Sequence, residues 1–378
     1  MSLQAAPYDL AVVGGGIMGA ASAIRAALGG MNVLLCEAGQ LGMGASGVNA
    51  GTLSLQIKRV GLMPYALRGH AMWAQAGDKV GFKECGGLTL AFTEHEAEML
   101  AQRMAARSAA GAPISLIGAA RAREIEPYIT EKLVAASYCA ADAYANSSLT
   151  GAYYRALLAQ AGVSTREATP VTDIQPAPRG VRLTTGAGVF EASRALLATG
   201  AWTQELATRL GCPLPIKVRV NTVSVTERMP RLVKKVIGHA TGLLTLKQSA
   251  NGTVLIGGGW QGTGSPRDGG GQIAARTLRD NLRLAQYAVP GLRSARIVRC
   301  WTGFEANSPD FMPIAGRLPG CENIFVLCCV RGGYTIGPYI GQLMGDQILD
   351  RQPELPLFDP ARLVQGQSRR ADTSGVFS

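Results

Sequence analysis

The stretch that decides the fold is residues 8–37, YDLAVVGGGIMGAASAIRAALGGMNVLLCE. Its first apolar run, residues 8–14, is typical of a buried strand. The alanine-rich segment at residues 20–28 predicts a helix, because alanine is the strongest helix former and two glycines end the segment. A second apolar run, residues 31–37, predicts another strand that ends on an acidic residue. The stretch therefore predicts a β-α-β unit of about thirty residues.

The glycines between the first strand and the helix follow the spacing Gly14-x-Gly16-x-x-Gly19. Gly14 allows a tight turn, Gly16 lets the backbone approach a pyrophosphate, and Gly19 lets the helix pack closely on the sheet. The pyrophosphate then faces the helix N-terminus, where free N–H groups favour negative charge. Glu37 is placed to accept hydrogen bonds from ribose hydroxyls. The pattern predicts an adenine-dinucleotide site, with a glycine-rich turn without ligand as the alternative, and it does not separate NAD from FAD.

Composition and charge limit the classes of function. The chain has 378 residues, 47% hydrophobic and 17% charged, which suits roughly two or three domains with a large core and excludes general disorder. The net charge is +11, but positive residues are spread along the chain without a block of about five like charges. No run of about 18 apolar residues predicts a membrane-spanning helix. We therefore expect a cytoplasmic protein with neither a nucleic-acid nor a membrane partner.

Cysteine and histidine usage argues against a metal site. None of the 8 cysteines forms a C-x-x-C pair, and several lie in apolar runs, so we expect reduced, buried thiols. The 3 histidines are His70, His95 and His239, far apart in sequence. The pattern supports neither a zinc site nor a Cys/His nucleophile pair.

The loop after the β-α-β unit carries a family resemblance. Residues 42–52 are small, polar and glycine-rich, which predicts a loop rather than a helix. The segment resembles the G-A-S-x-x-N-x-G loop of the D-amino-acid oxidase/sarcosine oxidase superfamily of FAD-dependent oxidoreductases. Residues 301–310 are similar to the W-x-G and P-D signature of that family. Residues 332–338 resemble its loop under the flavin pyrimidine, with a helix expected from Tyr339 to Leu349.

The resemblance implies an α/β, two-domain architecture with a Rossmann-like FAD-binding domain and an interleaved antiparallel-sheet substrate domain. The expected FAD-binding domain is discontinuous and comprises residues 1–84, 138–214 and 298–360. The expected substrate domain comprises residues 85–137 and 215–297, and residues 361–378 are expected to form a flexible tail. Motif and resemblance together assign FAD contacts to Gly14, Gly16, Ile17, Met18, Gly19, Glu37, Ala38, Ser46, Asn49, Ala50, Gly51, Val171, Gly200, Gly303, Gly332, Gly333, Tyr334, Thr335 and Ile336.

The chemistry implied by the resemblance is hydride transfer from the C–H next to nitrogen to flavin N5, from an amino acid, imino acid or opine. The amine must first lose its proton, and nearby positive charge favours that loss. Lys58, Arg59 and Arg331 are candidates to supply the charge, with solvated surface cations as the alternative. Tyr334 is a further catalytic candidate.

Glu305 departs from the family pattern. It stands where glycine-oxidase-like members carry an arginine that grips the substrate carboxylate. A carboxylate at this position repels a substrate carboxylate and attracts an amine. We therefore expect a bulkier substrate with a second polar group, such as an opine. An ion pair of Glu305 with Arg299 is the alternative.

Several alternatives stay open. The chain resembles the β-subunits of opine oxidase and hydroxyproline dehydrogenase, which implies electron-carrying partner subunits. A non-catalytic FAD-bearing subunit, an NAD-dependent dehydrogenase and a basic flavoprotein acting on RNA are the competing hypotheses. Covalent attachment of the flavin at Cys300 is disfavoured, because its register differs from that of family members with such a bond.

Overall fold

The computed structural model describes residues 8–178, 180–268 and 270–364. The chain divides into two compact units. In the described part of the chain, the first unit is built from residues 8–47, 148–178 with 180–218, and 305–364. The second unit contains residues 48–147 and 219–304. The two units are defined by contacts within the chain and not by what each unit binds. The ranges expected for the FAD-binding and substrate domains therefore stay a prediction.

The described chain contains both strands and helices. The strands are β1 Tyr8–Val13, β2 Val33–Cys36, β3 Thr52–Leu53, β4 Lys83–Glu84, β5 Gly87–Ala91, β6 Ile114–Gly118, β7 Ala135–Cys139, β8 Ala143–Tyr144, β9 Ser164–Arg166, β10 Val171–Ala177, β11 Gly180–Thr185, β12 Gly188–Leu197, β13 Lys217–Arg228, β14 Val236–His239, β15 Thr245–Gln248, β16 Thr253–Gly257, β17 Thr263–Ser265, β18 Gly270–Gln272, β19 Ile297–Asn307, β20 Ile314–Arg317 and β21 Ile324–Cys328. The helices are α1 Ile17–Leu28, α2 Ala45–Val48, α3 Met63–Ala76, α4 Glu94–Ala109, α5 Ala119–Ile125, α6 Thr150–Gln160, α7 Thr203–Arg209, α8 Ala275–Ala288, α9 Gly333–Ile348 and α10 Ala361–Val364.

The first unit is organised by a parallel sheet. Strands β21, β12, β1, β2 and β9 pair side by side in parallel. Antiparallel β11 and β10 continue from β12, and β20 pairs with β21. The apolar run of β1 is buried from Leu10 to Val13. Because β1 and β2 are parallel neighbours, the turn at Gly14 and the acid Glu37 lie at the same edge of the sheet.

Helices α1 and α9 of the first unit are in close contact along a stripe of small residues. The stripe on α9 consists of Gly337, Gly341 and Gly345. A Cβ at Gly341 would lie 2.6 Å from Ala21 Cβ and 2.9 Å from the Met18 carbonyl oxygen. The Ser22 hydroxyl donates to the Gly341 carbonyl at 2.9 Å. Glycine is therefore required on α9 for the two helix backbones to approach this closely.

The second unit contains a large mixed sheet in the order β19-β13-β16-β15-β14-β5-β7-β6. Strands β13, β16, β15 and β14 form antiparallel pairs, as do β5, β7 and β6. A parallel pairing between β14 and β5 joins the two sets. Buried Leu88, Leu246 and Ile256 of the sheet share one core with Ala122 of α5 and Ala285 of α8. The α/β fold class is confirmed, with a parallel sheet in one unit and a largely antiparallel sheet in the other.

Two local predictions were wrong. The loop expected at residues 42–52 contains one helical turn, α2, where the Ser46 side chain is fixed by a hydrogen bond from the Ile17 N–H. The last long helix begins at Gly333 rather than Tyr339. Glycines and Pro338 argue against a helix in sequence, because Pro338, the sixth residue of α9, removes an N–H from the helix interior. Packing of Gly337, Gly341 and Gly345 on α1 holds this segment helical.

Three further expectations concern thiols, membranes and the tail. All eight cysteines are free, and Cys36, Cys139, Cys212, Cys328 and Cys329 are buried. In the part of the chain that the structure describes, no helix is both long enough and apolar enough to cross a bilayer. The tail expected at residues 361–378 starts with helical turn α10, and its remainder, residues 365–378, lies outside the described residues.

Candidate functional site

The turn between β1 and α1 in the first unit depends on two glycines for steric reasons. Gly14 has φ +107°, and a Cβ there would lie 2.5 Å from the Ala198 carbonyl oxygen. A Cβ at Gly19 would lie 2.0 Å from the Gly14 carbonyl oxygen. No side chain fits at either place without moving backbone. These two glycines thus bring the helix onto the sheet, as the motif predicts.

Gly16 precedes α1 and has a different environment. It has extended backbone dihedrals, φ −69° and ψ 175°, and among the described residues a Cβ added there would meet only Ser46 Oγ, at 3.2 Å. The Ser46 hydroxyl oxygen accepts a hydrogen bond from the Ile17 N–H at 3.0 Å. Met18 stands in the same first helical turn. Gly16 therefore leaves free space at a helix N-terminus, where N–H groups and the dipole favour an anion.

Glu37 fixes the glycine turn at the end of β2. Its Oε2 accepts a hydrogen bond from the Gly15 N–H at 2.7 Å, and its Oε1 accepts one from the Gly39 N–H at 2.8 Å. Each carboxylate oxygen has a second lone pair for another donor. The contact of Glu37 with a ribose stays a prediction. Its neighbour Ala38 is exposed.

Two other assigned residues lie on the same sheet. Val171 begins β10 and pairs with Thr185 of β11. Gly200 starts a short 3-10 turn directly after β12 and has φ +53°, a conformation that favours glycine. Ala198 of this connection donates to the Val13 carbonyl at 2.8 Å, which ties the turn to β1. Gly200 is thus held at the carboxyl edge of β1, beside the glycine turn.

The N-terminus of α9 is a second helix start in the first unit. Gly332, at φ +68°, precedes the helix, and Gly333 begins it. Thr335 is fully buried, and its Oγ1 has no hydrogen-bond partner among the described residues. Ile336 is fully buried as well. A buried hydroxyl without a partner is costly, so Thr335 favours a polar ligand at this helix start.

The first unit also contains the catalytic candidates Tyr334, Arg331 and Glu305. The Tyr334 hydroxyl lies 3.1 Å from the Thr150 hydroxyl, and burial raises the pKa of Tyr334. The Arg331 guanidinium lies 5.5 Å from the centre of the Phe311 ring. Glu305 is half-buried near the end of β19. Tyr334 is therefore a neutral hydrogen-bonding group at neutral pH rather than a base.

In the second unit, the segment Asn49–Thr52 has a fixed conformation. Asn49 Oδ1 accepts a hydrogen bond from the Gly51 N–H at 2.6 Å. Gly51 has φ +68°, and a Cβ there would lie 2.0 Å from the Ala145 carbonyl oxygen. Ala50 lies between them and is half-buried. The three assigned residues therefore form one rigid turn.

The remaining assigned residues of the second unit are Lys58 and Gly303. Lys58 is only 4% exposed, so the alternative of a solvated surface cation is wrong for this residue. A Cβ at Gly303 would lie 2.6 Å from Val48 Cγ2, and the Trp301 indole N–H donates to the Val48 carbonyl at 2.6 Å. Gly303 is thus required for close packing of β19 on the turn of α2.

Sequence reasoning missed two buried polar groups of the second unit. Asp142 is 1% exposed and accepts hydrogen bonds from Ser54 Oγ, the Leu55 N–H and Gln56 Nε2 at 2.6 to 2.8 Å. Burial raises the pKa of its carboxyl, against the effect of these donors. Lys247 on β15 is 3% exposed. Neither residue belongs to a motif, and β15, with the sequence TLKQ, carries no sequence signal that marks Lys247 as buried.

The described residues contain no cluster of His, Cys, Asp and Glu side chains suited to a metal ion. Polar chemistry is instead concentrated at the two helix starts of the first unit and at the Asn49–Thr52 turn of the second. Helix starts and glycine turns present N–H groups, which bind anions rather than cations.

Comparison with known proteins gives concordant matches along the chain. The family described as FAD dependent oxidoreductase (DAO) matches residues 9–347. Glycine oxidase from Geobacillus kaustophilus (strain HTA426) is 30% identical over 355 residues, covering 90% of this chain and 93% of that protein. A subunit of opine oxidase from Rhizobium meliloti is 25% identical over 377 residues, covering 95% and 99%. The crystal structure of glycine oxidase from Geobacillus kaustophilus matches with a TM-score of 0.85 and 28% identity, covering 93% and 97%.

Proposed function

Because the chain belongs to the DAO family of FAD-dependent oxidoreductases, we propose that it oxidises the carbon–nitrogen bond of an amino acid, imino acid or opine. Relatives named as glycine oxidase and as an opine oxidase subunit support this substrate class. Membership in an FAD-dependent family overturns the alternative of an NAD-dependent dehydrogenase. The observation that carries the proposal is the glycine turn of β1 and α1, within a family match that spans residues 9–347.

The residues of the first unit fit FAD. Gly16 leaves open space at the start of α1, where the pyrophosphate is expected. The buried Thr335 hydroxyl at the start of α9 has a free hydrogen-bonding capacity that a polar edge of the flavin satisfies. We assign Gly14, Gly16 and Gly19 to the pyrophosphate turn and Glu37 to the ribose.

Bound FAD supplies the acceptor for a hydride from the C–H next to the substrate nitrogen. The N–H groups of Gly333 to Ile336 at the α9 start favour negative charge at the cofactor. Lys58 and Arg331 supply positive charge that lowers the pKa of the substrate amine and so favours its neutral form. Tyr334 donates or accepts a hydrogen bond through its neutral hydroxyl.

Glu305 determines substrate selectivity in this proposal. Its carboxylate disfavours a substrate carboxylate at that position and favours a cationic or amine group, as in an opine. An ion pair of Glu305 with Arg299 stays the alternative; the Arg299 guanidinium lies 5.7 Å from the centre of the Trp301 ring.

The test is an anaerobic titration of the FAD-loaded protein with glycine, sarcosine, D-amino acids, proline and opines. We expect loss of the flavin absorbance at about 450 nm with at least one secondary amine of the opine type. The same panel with Glu305→Gln should shift selectivity toward simple amino acids by about tenfold, the effect of roughly one charge interaction. A yellow protein that no amine bleaches indicates a non-catalytic FAD-bearing subunit. Unchanged selectivity in Glu305→Gln contradicts the role of Glu305.

A role as catalytic subunit of a heteromeric dehydrogenase is the second candidate. It is supported by the relative named as an opine oxidase subunit, which this chain covers over 99% of that protein's length. We expect the substrate-reduced protein to transfer electrons to an artificial dye faster than to oxygen. Rapid reoxidation by oxygen alone, with stoichiometric peroxide, indicates a self-sufficient oxidase instead.

A further inference from the structure

Lys247 is a buried cation held between neutral groups. Its side chain on β15 is 3% exposed, and Nζ donates hydrogen bonds to the Ala50 carbonyl and, at 3.2 Å, to the Thr52 hydroxyl. Nζ also lies 5.5 Å from the centre of the Tyr144 ring. Within the described residues, no carboxylate forms an ion pair with Lys247. Burial lowers the pKa of Lys247 to about 7.

The ionisable groups that face Lys247 are neutral at neutral pH. Burial raises the pKa of the Tyr144 phenol on β8 and of the Cys85 thiol before β5. The strands that flank β15 add no acid at this point, since Lys247 pairs with Leu255 of β16 and the β14 partner of Leu246 is Ile237. Lys247 therefore titrates close to neutral pH without a compensating anion among the described residues.

The oxygen atoms bound by Lys247 belong to the turn assigned to the cofactor. Three consecutive carbonyl oxygens of this turn accept hydrogen bonds from other residues of the second unit, to which the turn also belongs. The donors are Ser147 Oγ to Asn49 at 2.7 Å, Lys247 Nζ to Ala50, and the Ala145 N–H to Gly51 at 2.9 Å. Because a peptide group is planar, each such bond also turns the following N–H in the opposite direction. Lys247 is the charged donor of the three, so its protonation sets the strength of this anchoring.

We propose that Lys247 is a positioning residue of the Asn49–Thr52 turn and that it takes up a proton when FAD binds. The inference rests on the proposed assignment of Asn49, Ala50 and Gly51 to FAD. FAD carries two phosphate charges, and negative charge brought into a poorly solvated environment stabilises a buried ammonium.

The proton balance is simple. Above about pH 7, much of the Nζ group of the apoprotein is the neutral amine. FAD binding converts it to the ammonium with one proton from the buffer, and no electron is transferred. FAD affinity then falls with rising pH, because binding takes up a proton and the proton concentration of the solution decreases.

The test is isothermal titration of apoprotein with FAD at about pH 8 in buffers of different ionisation enthalpy. For the wild type we expect net uptake of up to about one proton, and an FAD dissociation constant that rises by up to about tenfold per pH unit. Lys247→Met should abolish the uptake and flatten this pH dependence. Lys247→Gln retains a donor for the turn without a titrating charge, so it should bind FAD more tightly than Lys247→Met and also without uptake.

Lys235→Met is the matched control. The half-buried Lys235 donates to the Cys85 carbonyl at 2.7 Å and, among the described residues, makes no hydrogen bond to the Asn49–Thr52 turn. We expect wild-type proton uptake in this variant. Equal uptake in wild type and Lys247→Met, or pH-independent FAD binding by the wild type, overturns the inference. If Lys247→Met fails to fold, the comparison of proton uptake between wild type and Lys247→Gln tests the inference. If the wild type binds no FAD, the assignment of FAD itself is refuted.

Discussion

Two neighbouring glycines of the cofactor motif have different physical tasks. Gly19 is required by the protein itself, since a Cβ there would lie 2.0 Å from the Gly14 carbonyl oxygen. Gly16 faces open space apart from the Ser46 hydroxyl at 3.2 Å, and its dihedrals are allowed for any residue. One glycine thus serves the packing of helix on sheet and the other the approach of a ligand.

Alanine substitutions separate these two tasks. We expect Gly16→Ala to leave the apoprotein melting temperature within about 2 °C of wild type and to weaken FAD binding at least tenfold, a loss of about 1.4 kcal/mol. Gly19→Ala should destabilise the apoprotein by about 2 kcal/mol or more through overpacking. Thermal unfolding and FAD fluorescence titration measure both quantities. Normal FAD affinity in Gly16→Ala would contradict the assignment of Gly16.

Residue-scale reasoning from sequence succeeded where a function demands a residue type at a fixed spacing. The tight turn at Gly14 and the acid at Glu37 belong to such a pattern, and the structure places both at one sheet edge. Lys247 has no such pattern, because its partners, Ala50 and Thr52, are distant in sequence, and Thr52 lies in a different sheet from β15. Buried polar groups of this kind follow from tertiary structure alone.

At the scale of elements, α9 shows how packing overrides local propensity. The helix contains Pro338 at its sixth position, which removes one backbone N–H and is unfavourable in a helix interior. Glycines that weaken an isolated helix here allow close contact with α1. The predicted start at Tyr339 was wrong because local sequence carries no information on this distant partner.

A single methyl group tests the contact between α1 and α9. Gly341→Ala would place a Cβ 2.6 Å from Ala21 Cβ, and we expect a loss of stability of about 2 to 3 kcal/mol. Gly186→Ala is the control in the same unit, because no heavy atom of the described residues lies within 4 Å of its added Cβ. Its effect should stay within about 0.5 kcal/mol. Denaturant unfolding measures both, and equal effects would refute close packing at Gly341.

For the whole molecule, the buried lysine couples stability to pH. The pKa of Lys247 is lowered from 10.5 to about 7 on folding, so the unfolded chain binds more protons between these values. Stability then rises with pH in this window, and the cost of the buried charge is fully present below about pH 7. Other titrating groups also contribute to the pH dependence of the free energy of unfolding. A substitution at Lys247 alone leaves those contributions unchanged.

We expect Lys247→Met apoprotein to lack about 2 kcal/mol of the stability that wild type gains between about pH 7 and pH 9. It should also be more stable than wild type at about pH 6, where the ammonium is buried at full cost. Denaturant unfolding at several pH values measures this, with Lys235→Met as control. Parallel pH profiles of wild type and Lys247→Met would show that Lys247 is charged throughout.

The contact between the first and last long helices has a consequence during biosynthesis. Helix α1 leaves the ribosome early, yet its covering stripe on α9 is translated only near residues 337–345. At about 10 residues per second, this face of the nascent helix stays without its partner for roughly half a minute. The docking of α1 on α9 is therefore among the last packing steps, since it waits until nearly the whole chain has been translated.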